Sequence, residues 1–151
     1  MKQMGNNRPV IAIDFDGTIH SYEHGWKDGS VYGTPIKGSF QAIRELLVEF
    51  EVVIYTARVW GWEERDEAFI KLQEGLIRDW FLLYEAPDLA VLRIVRKFPA
   101  AAYIDDRAVP LTAAGEWDKV YVTAKNMAAY DLLGIVTGAK TESPWPVEDP
   151  G

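Results

Sequence analysis

The sequence predicts an α/β protein built around a mostly parallel sheet. Three observations carry that expectation. Short apolar runs recur at residues 10–13, 52–55 and 101–104, the first of them largely β-branched. Stretches of helical period lie between them, and strands alternating with helices favour a parallel sheet. Each run also ends abruptly in polar residues: Asp14 and Asp16, Thr56, and Asp105 with Asp106.

Taken in order, residues 10–13 (Val-Ile-Ala-Ile) read as a buried first strand. Residues 20–38 mix aromatics with Gly25, Gly29, Gly33, Pro35 and Gly38, which predicts a loop or short hairpin over the strand ends. Ser39 is placed to cap a helix over 39–49, with Phe40, Ile43, Leu46 and Leu47 on one face. Residues 52–55 form the second strand. A helix is expected over 63–74, with acids in its first turn as the macrodipole favours. Residues 77–83 fit either its continuation or a strand. Residues 88–95 predict a short irregular or helical segment leading to Arg96 and Lys97. A third strand is expected at 101–104, a fourth at 119–123 and a last helix at 126–133. Pro144, Pro146 and Pro150 mark 141–151 as a flexible tail after a single domain over 1–140.

Composition narrows the function. With 151 residues, 48% of them hydrophobic, the chain can bury one full core. Sixteen basic residues against 23 acidic ones give a net charge of −7. That balance argues against an extended nucleic-acid surface, which neutralises phosphates with Lys and Arg, though not against contact with a nucleic-acid end. The lack of cysteine excludes disulfides and thiolate metal sites. No apolar run approaches the roughly 20 residues of a membrane span, and the first eight residues hold no signal core. The expectation is a cytoplasmic protein.

The polar strand ends carry the chemistry. Parallel strands bring their carboxyl ends to one edge, where open α/β sheets place ligands. Asp14 and Asp16, two apart on extended chain, face the same side. Like charges that close call for a cation or a shared proton. Adding Thr56, Lys97, Asp105 and Asp106 gives four carboxylates, a hydroxyl and an ammonium. Such a set suits phosphoryl transfer. Carboxylates hold Mg²⁺, while Lys, Thr and backbone N–H groups hold the phosphoryl oxygens. One carboxylate can also be the nucleophile and a second the general acid, then base.

Asp14-Phe15-Asp16-Gly17-Thr18 matches a DxDGT motif and resembles the haloacid dehalogenase (HAD) superfamily of phosphohydrolases. Thr56, Lys97 and the pair Asp105-Asp106 follow in that superfamily's motif order, so the resemblance spans about residues 10–110. It implies a three-layer, Rossmann-like fold with helices on both faces of the sheet. The cap is minimal, since 20–38 is long enough only for a flap. Asp14 would be the nucleophile and a Mg²⁺ ligand. Asp16 would be the general acid/base, with its backbone carbonyl on the metal. Gly17 and Thr18 would bind substrate, and Thr56 and Lys97 would hold the phosphoryl group, Lys97 also offsetting the charge of Asp14. Asp105 and Asp106 would complete the metal site directly or through water; the resemblance leaves open which one touches the metal.

Thr56-Ala57-Arg58 and Ile104-Asp105-Asp106-Arg107 resemble small phage and bacterial members of the superfamily. They are also similar to the phosphatase domain of phage polynucleotide kinases, which removes 3′-phosphates from nucleic acid. Arg58 would then contact the substrate phosphate or a neighbouring group, against a structural pairing with Glu63 or Glu64. Arg96 competes with Lys97 for its role. Tyr22, Trp26, Trp60 and Trp62 either pack in the core or stack on a flat group, and His20 and His24 are candidate specificity contacts. The expected function is a Mg²⁺-dependent phosphatase of phosphate monoesters. Its substrate would be a nucleotide or nucleic-acid 3′-phosphate, or else a sugar or metabolite phosphate. The other classes are a binding module without turnover and a phospho-accepting signalling domain. Receiver domains, however, carry their acidic pair first and their Lys last.

Overall fold

The computed structural model describes residues 8–61, 66–111 and 116–137, with side chains through residue 129 in the last helix. The expected 141–151 tail lies outside the described residues. Apolar, β-branched residues build the strands β1 (Val10–Ile13), β2 (Glu51–Thr56) and β3 (Ile94–Arg96). They form an open parallel sheet in the order β1-β2-β3. Ile11 lies beside Val52 and Ile13 beside Ile54, while Ile54 and Thr56 face Ile94 and Arg96 on the other side. Central β2 is buried at Val52, Val53 and Ile54 on both its faces, as a parallel strand's continuous apolar run allows.

Among the described residues the α-helices are α1 (Ser39–Leu47), α2 (Glu67–Leu83) and α3 (Trp117–Thr137). The core joins Ile13, Val52 and Ile54 with Phe15 and Ile19 of the following turn, Ile43 and Leu46 of α1, Ile77, Trp80 and Phe81 of α2, and Trp117 of α3. Ile13 and Phe15 point into this core, so the alternation of extended chain turns Asp14 and Asp16 the other way. The opposite face of β1 is open, with Val10 and Ala12 exposed. Among the described residues β1 pairs only with β2.

Residues 20–38 make the expected flap. It is closed at its base by the Ser21 N–H on the Thr34 carbonyl (2.8 Å) and the Ile36 N–H on the Ile19 carbonyl (2.7 Å). Gly38 rather than Ser39 occupies the cap position of α1, at φ 84°, and Ser39 is the first helical residue, its side chain buried. Residues 77–83 continue α2, because Ile70, Gln73, Ile77 and Trp80 keep helical spacing along one buried face. The helix ends with Glu85 at φ 58°. Its N–H reaches the Leu82 carbonyl and the Ala86 N–H reaches that of Phe81, a Schellman closure.

Two expected strands are absent. Residues 101–104 run as exposed irregular chain instead of a strand, with Ile104 fully exposed. Two of the four residues are alanines, weak strand formers, and Pro99 precedes them. The Tyr103 hydroxyl also bonds back to the Phe98 carbonyl and receives the Ala100 N–H, hooking the segment on itself. Residues 119–123 belong to α3, together with the expected helix at 126–133. Trp117, Val120, Tyr121 and Ala128 fall on one helical face against the core, and that packing outweighs the strand preference of Val-Tyr-Val. No helix among the described residues is long and apolar enough to cross a membrane.

Candidate functional site

The turn after β1 displays both acids. Gly17 adopts φ 78°, its N–H bonds the His20 carbonyl at 2.8 Å, and the Ile19 and His20 N–H groups converge on the Phe15 carbonyl at 2.9 and 3.0 Å. Asp14 is held by its neighbours: the Phe15 N–H and the Thr18 hydroxyl donate to its carboxylate. Burial pushes the Asp14 carboxyl above the ordinary aspartate range, against the opposing pull of the Lys97 ammonium. Lys97 Nζ stands 3.9 Å from Asp14 Oδ1 and 4.4 Å from the centre of the Tyr103 ring. Its backbone N–H bonds the Thr56 carbonyl at 3.1 Å, which carries the β2–β3 ladder one residue further and fixes where the lysine emerges. Thr56 is buried at the end of β2, where its Oγ1 accepts the Arg58 N–H at 3.2 Å and caps the short 3₁₀ turn Ala57–Val59.

Asp14, Asp16, Thr56, Arg58 and Lys97 line one cavity of about 390 Å³, closed by Ala57 and by the rings of Tyr22, Trp26, Phe69 and Tyr103. Arg58 is only 4% exposed. Its Nε donates to Asp16 Oδ2 at 2.6 Å, and Nη1 donates to the Gly29 carbonyl at 2.9 Å and to Gln73 Oε1 at 3.2 Å. The guanidinium therefore ties the Asp16 carboxylate, the flap and α2 together. The other Asp16 oxygen takes His20 Nδ1 at 2.9 Å. His20 is fully buried, and its Nε2 receives the Gly33 N–H at 2.8 Å. A ring nitrogen that accepts carries no proton, so the proton sits on Nδ1 and is donated to Asp16. Two donors from different elements thus fix the direction of the Asp16 carboxylate.

Asp14, Asp16, Thr56, Lys97 and Arg58 all meet at this cavity, although they are far apart in sequence. Arg96, by contrast, is exposed on β3. Gly17 and Thr18 shape the turn rather than line the cavity, Gly17 bonding the His20 carbonyl and Thr18 bearing on Asp14. Arg58 spends its donors inside the protein, and the alternative partners Glu63 and Glu64 lie outside the described residues, as does Trp62. Trp60 packs edge-on against Phe98 with centroids 5.0 Å apart, away from the cavity lining. His20 is a buried linchpin of the site, and His24 stays exposed near Tyr32.

Asp105 and Asp106 do not join Asp14 and Asp16. They are exposed, two and three residues beyond Tyr103, and the Asp105 carboxylate folds back onto the Arg107 N–H at 2.8 Å. Because residues 101–104 do not pair with the sheet, nothing carries the acidic pair to its edge. Carboxylates are the ligands Mg²⁺ takes, but no group of three acidic or His side chains gathers among the described residues. Asp14 and Asp16 are the carboxylates that share the cavity among the described residues. Sequence reasoning missed Gln73, Phe69 and Tyr103. Gln73 left a signal, as a polar residue on the otherwise apolar stripe of Ile70, Ile77 and Trp80. Compared with known proteins, the chain matches no family model, no curated protein and no solved structure.

Proposed function

We propose that the protein is a phosphomonoester hydrolase that works through an aspartyl-phosphate on Asp14. The observation that supports this most is the desolvated Asp14 carboxylate beside Lys97 and Thr56 in one cavity at the carboxyl ends of parallel strands. An Asp14 oxygen would attack phosphorus as the bond to the ester oxygen breaks, and Asp16 would give that oxygen a proton. Water would then attack phosphorus and pass its proton to Asp16, the Asp14–phosphate bond would break, and inorganic phosphate would leave. Lys97 and the Thr56 hydroxyl, which line the same cavity, would meet the phosphoryl oxygens, where positive charge and a donor count most as charge shifts. Arg58 and His20 would keep Asp16 aimed.

A HAD-like three-layer architecture and a Mg²⁺ requirement belong to this proposal through the sequence resemblance. Asp14 and the Asp16 backbone carbonyl would hold the ion at the cavity, and Asp105 or Asp106 would join them only through a movement of residues 101–106 toward the sheet edge. The test is phosphate release from p-nitrophenyl phosphate with Mg²⁺, wild type beside Asp14→Asn. Turnover is expected in the wild type, with loss of at least ~100-fold in the variant. EDTA should abolish the activity and Mg²⁺ restore it. Near-normal turnover by Asp14→Asn would sink the nucleophile assignment, and activity that survives chelation would remove the metal.

A further inference from the structure

We propose that the cavity takes a phosphate monoester whose organic group is a flat aromatic ring, a nucleobase or a carbocyclic aryl group, bound against Trp26 and its neighbours. This rests on the phosphatase reading of the same site. Size is the first argument. A cavity of about 390 Å³ far exceeds one phosphate and falls in the range of pockets for small organic ligands, about 300–1,000 Å³. Wall chemistry is the second. Asp14, Lys97 and Thr56 leave the remainder of the lining mainly to the rings of Tyr22, Trp26, Phe69 and Tyr103.

The polar groups that a sugar's hydroxyls would seek are already engaged. Asp16 is bonded to Arg58 and His20, the Thr56 oxygen receives the Arg58 N–H, and the Tyr103 hydroxyl is bonded to the Phe98 carbonyl. A polyol would find fewer open partners there than in water, because part of the capacity of these groups is already committed. A flat ring loses little and gains stacking.

Trp26 is the third argument. It is held in place yet stays 50% exposed at the cavity. Phe69 lies at 6.3 Å on one side and the Arg58 guanidinium at 5.2 Å from its centre. Arg58 anchors the flap at the Gly29 carbonyl, and a Cβ on Gly29 would come within 3.3 Å of the Trp26 ring. The indole is therefore positioned before any ligand arrives, which lowers the ordering cost of binding. Through Arg58 it is one guanidinium away from Asp16.

The test compares kcat/KM within two pairs that share a leaving-group type: adenosine 5′-monophosphate with ribose 5-phosphate, and benzyl phosphate with cyclohexylmethyl phosphate. The aromatic member is expected to win by about tenfold or more, the scale of stacking on one ring. Trp26→Leu should bring that ratio to within about twofold of unity. Preference in both pairs identifies the flat ring itself, and preference in one pair identifies the nucleobase or the aryl group. Equal kcat/KM in both pairs, or a ratio that Trp26→Leu leaves unchanged, would overturn the inference. If the wild type releases phosphate from none of the four, p-nitrophenyl phosphate decides whether the phosphatase reading also fails, and calorimetry decides the pocket separately. Adenosine 5′-monophosphate binding at least tenfold tighter than ribose 5-phosphate would then sustain the aromatic subsite; equal or absent binding would overturn it.

Discussion

Asp14 is stabilised and penalised by its own surroundings. Burial raises its pKa, while Lys97, the Phe15 N–H and the Thr18 hydroxyl pull it back. Folding therefore costs the ionised form something at any pH above the folded-state pKa, and that cost is relieved as pH falls through it. Carbon-13 NMR of the metal-free protein should show the Asp14 carboxyl titrating above the ordinary aspartate range. Lys97→Gln should push it higher still; a midpoint that falls or stays put would deny the lysine its role. Asp14→Asn should also raise the thermal midpoint slightly at neutral pH, because partial burial penalises the carboxylate more than its partners favour it. At this scale the sequence was most readable. A strand-end Asp-x-Asp, a Thr and a Lys have few ways to be arranged at one sheet edge. The partners of Asp16 were not readable: Arg58 lies 42 residues away, and His20, four residues on, meets Asp16 only through the geometry of the turn.

At the scale of elements, the flap is the part whose construction sequence could only outline. Its glycines announced a loop, but not that Gly33 is its anchor. The Gly33 N–H bonds His20, its carbonyl receives Trp80 Nε1 at 2.8 Å, and a Cβ there would lie 2.1 Å from the Ser21 carbonyl oxygen. A backbone oxygen at that distance cannot rotate aside. Gly33→Ala is therefore expected to destabilise the protein by about 1–3 kcal/mol in urea unfolding, and to weaken the hold of His20 on Asp16. Unchanged stability would show that the flap is free to shift. The two misread strands failed for different reasons. Residues 119–123 carry strand-forming side chains, yet Trp117 and Ala128 impose a helical period across them. Residues 101–104 lack a second pair of strong strand formers, and Tyr103 finds a nearer partner in Phe98.

For the whole molecule, the α/β class and the meeting of Asp14, Asp16 and Thr56 at one edge followed from alternating periodicity, while the extent of the sheet and the place of Asp105 and Asp106 did not. Among the described residues, β1 pairs on one side alone. Since the Glu51 N–H donates to the Pro9 carbonyl, alternation along the strand turns the amides of Ile11 and Ile13 toward β2 and those of Val10 and Ala12 outward. That arrangement amounts to a built-in clock. In deuterated water the protons at positions 11 and 13 should outlast those at 10 and 12 by orders of magnitude, because only the first pair must wait for the sheet to open. Anything that zips onto the free side, whether residues 101–104 or a second copy, would slow the fast pair and leave the slow pair nearly untouched. Two amides on a four-residue strand thus report whether the sheet ever gains another member.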